Sequence, residues 1–303
     1  MSLSPIEQRL NRMESDIQQI KGMLSELLDL SKGAFQSHAH ENIMSAKEVA
    51  DLLRLDVNVI YDLDFSIDGD FDSELEDCKN RIENVLKQTF LEHGYILFDY
   101  NFMNKPKKAR QEVSDFWGGY KIEFKLIPQN LYDKFNGDIE QFRKLALPLQ
   151  TNNSPKFEIE ISKYEYVEHK MQIELDGYVV YVYTPEMIVF EKVRAICQQL
   201  PEYAEIIPSH SPRPRARDFY DIHLIMSDHK IDPHSNENKE LIKNIFEAKR
   251  VPLNFIKLIR NYKVIHNDDW KSVEATVSAK VTLEPFDYYF DFVLQSFETI
   301  TFP

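Results

Sequence analysis

Apolar side chains recur at Ile6, Leu10, Met13, Ile17, Ile20, Leu24 and Leu27, in steps that alternate between four and three residues. A seam with that spacing predicts a coiled-coil helix over residues 1–32. Because the rest of this helix is polar, the seam is expected to close against a second copy, giving a homodimer through residues 6–27. Residues 33–44 are polar, have no period and read as a linker. From residue 62 the periods alternate between two and 3.6. "DLDFSI", "YILFDYNF", "YKIEFKLI", "KFEIEISKYEYV", "KMQIEL" and "YVVYVY" have the β-branched and aromatic character of strands, and "DSELEDCKNRIENVLKQTFLEHG" that of a long amphipathic helix. Beyond "TPEM" the pattern turns helical, through "PEMIVFEKVRAICQQL", "ARDFYDIHLIM", "NKELIKNIFEAKR", "PLNFIKLIRNYKVIHNDDW" and "DYYFDFVLQSFETI". Strands first and helices afterwards predict an α+β domain at 62–185 followed by a helical C-terminal domain at 186–303.

Residues 45–61 have a character of their own. Ser45 and Glu48 form a capping box, Val49, Leu52 and Leu53 give the first helix an apolar side, and Asp56 can cap a second short helix that buries Val59 and Ile60. Two short helices in this order make a helix-turn-helix-like segment. It resembles the excisionase/MerR-like module, which implies a possible DNA contact through residues 45–61. Arg54 stands at the turn where that module has glycine.

Composition narrows the function classes. The 303 residues are 43% hydrophobic and 28% charged, as in an ordinary globular protein. No apolar run is long enough to span a bilayer and no signal peptide is present, so a cytoplasmic protein without a membrane is expected. Cys78 and Cys197 offer neither a disulfide framework nor zinc spacing. A net charge of −14 argues against general coating of nucleic acid. Eight glycines, with none between Gly33 and Gly69, leave no P-loop or dinucleotide fingerprint.

Candidate chemistry starts at Asp62 and Asp64, which share a strand face and repel unless a cation lies between them. Mg²⁺ suits them, since it takes a few carboxylate oxygens and completes its shell with water and substrate phosphates. In "FEIEIS", Glu158 and Glu160 lie on the face opposite the apolar residues. If that strand neighbours the first, Glu160 could supply a third carboxylate for a two-metal phosphoryl or nucleotidyl transfer; Glu158 and Glu123 are the alternatives. Lys192 shares a helical column with Ile188 and Ile196, so it either snorkels to water or reaches into a cleft for a phosphate. In "RPRARDFYDI", Asp218 and Asp221 lie at i, i+3 near a helix start, where Asp218 is either a cap or a site acid. Arg213, Arg215 and Arg217 form a basic loop suited to phosphates.

Taken in order, "DLDFSIDGDFD", "FEIEIS", "YTPEMIVFEKVRAICQQ" and "RPRARDFYDI" resemble the AbiEii/AbiGii-type nucleotidyltransferase toxins over residues ~61–295. The resemblance implies a nucleotidyltransferase fold with a polymerase β-like mixed sheet. It also implies transfer of NMP from an NTP, with Mg²⁺, to an acceptor such as tRNA, and a toxin with a cognate antitoxin in phage defence. The resemblance further implies that Asp62 and Asp64 bind the metal, that Lys192 meets nucleotide or phosphate in the catalytic set, and that Asp218 or Asp221 is a catalytic or structural acid. Glu160 is the choice for the remaining catalytic acid, and Arg215 and Arg217 of the basic loop are the further candidates for substrate binding. The family's Gly-Gly-Ser/Thr phosphate turn, expected about a dozen residues before D-x-D, is replaced by the helix-turn-helix-like text. Ser45 is a partial substitute at most, so the activity would be weakened. The alternative is a non-catalytic DNA-binding or regulatory protein, dimerised through its N-terminal helix.

Overall fold

The computed structural model describes residues 62–71, 74–107, 113–135, 137–147, 154–175, 178–277 and 282–302. The heptad helix, the linker and the helix-turn-helix-like segment lie outside them. A four-stranded sheet comes first, made of β1 (Asp62–Ser66), β2 (Tyr95–Lys105), β3 (Gly119–Pro128) and β4 (Phe157–Ser162), in the order β1-β4-β3-β2. The β2–β3 and β3–β4 pairs are antiparallel, whereas β1 runs parallel to β4. The sheet is therefore mixed, consistent with the nucleotidyltransferase-like α+β class expected from the sequence.

Helix α1 (Leu75–Glu92) joins β1 to β2. Its buried residues Cys78, Ile82, Leu86 and Phe90 recur every four positions and form one stripe. They pack on Ile122, Phe124 and Leu126 of β3 and on Ile159 and Ile161 of β4. The period-two text of "KIEFKL" and "FEIEIS" produces this arrangement, since every second side chain turns toward α1 while the charged ones take the other face. At the far end that second face is covered too. Phe98 and Ile127 pack there against Phe142 of a short helical pair, α2 (Gln129–Phe135) and α3 (Ile139–Leu145), to which the sequence pattern assigned no element. Near β1 and β4 the face instead carries charge, with Lys121, Glu123, Glu158 and Glu160 at facing register positions.

Gly119 opens β3 where the chain passes close over β4, and a Cβ there would collide with the Ile161 carbonyl oxygen. Only glycine lets the two backbones approach so closely.

A two-stranded hairpin, β5 (Met171–Leu175) and β6 (Tyr178–Val182), leads into the helical half. Its centre is α4 (Pro185–Cys197), flanked by α5 (Ala216–His229) and α6 (Asn236–Ala248). Thr184 caps α4 by accepting the Met187 N–H at 3.3 Å, and Pro185 takes the first helical position, where no N–H is needed. The chain ends with α7 (Lys263–Asn267), α8 (Trp270–Thr276) and α9 (Phe286–Phe297). The helix expected over "PLNFIKLIRNYKVIHNDDW" is divided: Leu253–Tyr262 winds as a 3₁₀-helix, and α7 and α8 follow as separate short helices.

Candidate active site

Two groups of the expected residues come together. The first lies on the sheet, where the parallel register places Asp64 opposite Glu160 and Asp62 opposite Glu158. The condition for Glu160 to join the D-x-D strand, adjacency of the two strands, is therefore met. Glu158 and Glu160 also face basic residues. Lys105, at the end of β2, is ion-paired with Glu160. Lys121 bridges Glu158 at 2.9 Å and Glu123 at 3.0 Å. Burial by itself would lower the Lys121 pKa, yet Glu158 and Glu123 outweigh it and raise it. Glu123 is held below its usual range, first by the Lys121 hydrogen bond.

The oxygen donors here are of the kind a hard divalent cation prefers. Among the described residues, no group of three or more His, Cys, Asp or Glu side chains stands assembled around a metal position. Carboxylate oxygens on β1 and β4 are the donor type Mg²⁺ takes, and an ion held there would draw on Asp62, Asp64 and Glu160, the last ion-paired with Lys105.

The second group lies in the helical half. Lys192 of α4 donates to Asp218 Oδ1 at 2.9 Å and to Asp221 Oδ2 at 2.8 Å. The i, i+3 spacing on α5 aims both carboxylates at one ammonium. Burial alone would depress the Lys192 pKa, but the two carboxylates overcome it and raise it, so the ammonium stays charged. Arg217 Nε donates to Asp221 Oδ1 at 2.9 Å, and Arg215 Nε lies 3.0 Å from Asp218 Oδ2. Asp218 does not cap α5: the helix opens at Ala216, whose N–H is accepted by Asp269 Oδ1 at 3.0 Å. Lys192, Arg215 and Arg217 thus stand among the carboxylates of Asp218, Asp221 and, at the start of α5, Asp269. The two arginines are 40% and 37% exposed, which leaves them within reach of a dissolved anion. Arg213 takes part only through its backbone N–H, donated to Gln199 Oε1 at 3.0 Å.

The model of the family described as "Nucleotidyl transferase AbiEii toxin, Type IV TA system" matches residues 61–295. The chain belongs to this AbiEii toxin family. The match begins one residue before Asp62 and takes in both groups of charged residues. No curated protein and no solved structure matches the chain. Membership makes this AbiEii-family chain a nucleotidyltransferase toxin of a toxin–antitoxin system, with a cognate antitoxin as the implied partner. Among the described residues, no helix is long and apolar enough to cross a membrane.

Sequence reasoning missed several charged residues between and beside these groups. Asp70 of "IDGDF" accepts from Lys163 Nζ at 2.8 Å and from the Phe71 N–H at 2.7 Å, and it is bonded to the Tyr120 hydroxyl. Burial pushes its pKa up, but these partners outweigh burial and hold it low, marking Asp70 as a structural acid. Arg194, two residues beyond Lys192 in the same "EKVRA" text, is buried and lies among Glu191, Glu165 and Gln198. A basic residue turned to the apolar side of α4 was the one signal that could have flagged it.

Proposed function

We propose that this AbiEii-family toxin is a Mg²⁺-dependent nucleotidyltransferase that transfers NMP from an NTP to an acceptor such as tRNA, in the cytoplasm. The observation that carries this reading is the Lys192 ammonium clamped between Asp218 and Asp221, in a chain matched by the family model over both this cluster and the acidic strand pair. A bound Mg²⁺ would neutralise charge on the phosphates as the phosphoanhydride bond breaks.

The residues of the chain divide the remaining work. Arg215 and Arg217, half-open to solvent, draw the triphosphate to the cluster by charge and by directional hydrogen bonds. Lys192 exchanges one of its two carboxylate partners for a phosphate oxygen while the other keeps its ammonium aimed. Asp62 and Asp64 would hold the metal, with Glu160 in register beside Asp64 as the further carboxylate available to it. Lacking the glycine-rich turn before D-x-D, the chain holds phosphates by side chains in place of backbone N–H groups, which predicts weak nucleotide affinity and slow turnover.

The test is incubation of purified protein with each labelled NTP, Mg²⁺ and total tRNA. Label on the RNA that disappears in Asp64→Asn and in Lys192→Met is the expected result. Transfer equal to wild type in both variants would refute the assignment.

A further inference from the structure

Between the sheet and the helical half lies a buried ion cluster to which the proposed reaction assigns no part. Glu165, three residues past the end of β4, is 7% exposed. Its carboxylate lies 3.4 Å from Arg194 Nη2 and 3.0 Å from Lys249 Nζ. Its backbone N–H donates to the Ile67 carbonyl at 3.0 Å, one residue beyond β1. Arg194, two residues from Lys192 on α4, is also paired with Glu191, and Lys249 donates to the Lys163 carbonyl. A single residue is thereby fastened through its main chain to the strand that carries Asp62 and Asp64, and through its side chain to the helix that carries Lys192.

The physical character of this joint matters. Glu165, Glu191, Arg194 and Lys249 are two acids and two bases, so the cluster is neutral as a whole, and each member relies on the others in place of water. Paired charges with fixed hydrogen-bond directions prefer one register.

We propose that Glu165, gripped by Arg194 and Lys249, is a positioning residue that sets the spacing between the D-x-D strand and the Lys192 clamp. A nucleotide held by the clamp is then presented to a metal held by the strand. The proposal rests on the proposed function, in which these two groups serve one site.

Glu165→Gln and the charge-balanced double variant Glu165→Gln/Lys249→Met test it in the full chain. Binding of a fluorescent NTP analogue is measured with and without Mn²⁺, and circular dichroism checks the fold. In the wild type, Mn²⁺ is expected to tighten nucleotide binding by about tenfold or more, a usual size for coupling between two sites. In the folded double variant, metal-free affinity stays within about twofold of wild type, while the tightening by Mn²⁺ falls to about threefold or less. Full tightening in that variant would overturn the proposal, and so would equal loss of metal-free binding, because Glu165 would then act on the clamp itself. A double variant that no longer folds would make the cluster a stability element and overturn the positioning role. Wild-type protein that shows no tightening would instead refute the shared-site reading.

Discussion

Acid sensitivity centred on His266 follows directly from the packing of α7. The ring is 0% exposed, lies 5.2 Å from the Phe219 ring between centroids, and neither nitrogen has a hydrogen-bond partner. Burial lowers its pKa from 6.5 to about 4; nearby Asp218 pulls it upward and Arg215 downward, and neither outweighs burial. The sign comes from proton counts. In the folded chain the ring is neutral down to about pH 4, whereas in the unfolded chain it takes up a proton below about 6.5. The unfolded state therefore binds more protons across that window. The contribution to stability is whole above about 6.5 and falls as pH is lowered toward about 4. With these two values, lowering the pH from 7.5 to 5 costs about 2 kcal/mol through this one ring. Urea unfolding of wild type and His266→Leu at both pH values measures it. His210 and His223, whose pKa values burial also lowers, are present in both proteins and cancel in the comparison. The wild type should lose about 2 kcal/mol more than the variant. Equal losses would show that the buried neutral imidazole is not what makes the fold acid-sensitive.

Other outcomes can be checked by the same unfolding measurements. Phe90→Ala removes a fully buried ring between α1 and the sheet and should cost about 3–5 kcal/mol. Asp138, whose Oδ1 accepts the Glu140 and Gln141 N–H groups at 3.1 and 3.2 Å, caps α3, and Asp138→Ala should cost about 1 kcal/mol. Lys192→Met leaves Asp218 and Asp221 facing each other and should destabilise by about 1–3 kcal/mol, with part of the loss regained in Lys192→Met/Asp221→Asn. Gly119→Ala should cost more than the few tenths of a kcal/mol usual at an open surface site, because the added carbon meets the β4 backbone.

Period and spacing within one element were legible in the sequence. "FEIEIS" shows which side chains face α1, and the i, i+3 spacing of Asp218 and Asp221 shows that they act on one partner. What escaped depends on contacts between distant segments. That β4 lies between β1 and β3 is a matter of topology, and no local pattern states it. The Glu165–Arg194–Lys249 cluster gathers a loop, a helix interior and a helix end, each of which reads locally as an ordinary charge. Lys105 and Lys121 meet Glu160 and Glu158 only because β2, β3 and β4 lie side by side, which no local pattern states. In Leu253–Tyr262 the buried positions Phe255, Ile256 and Ile259 suit a period of 3.0 as well as one of 3.6, so the sequence could not separate a 3₁₀-helix from an α-helix.

The most direct test of a shared metal and nucleotide site is a crystal structure of the full chain with Mn²⁺ and a non-hydrolysable NTP analogue, read by the anomalous signal of the metal. The predicted result is a metal peak at the carboxylates of Asp62 and Asp64, with the nucleotide's phosphates reaching from that metal to Lys192. A peak elsewhere, or a nucleotide bound away from Lys192 while Asp218 and Asp221 keep their lysine, would contradict it.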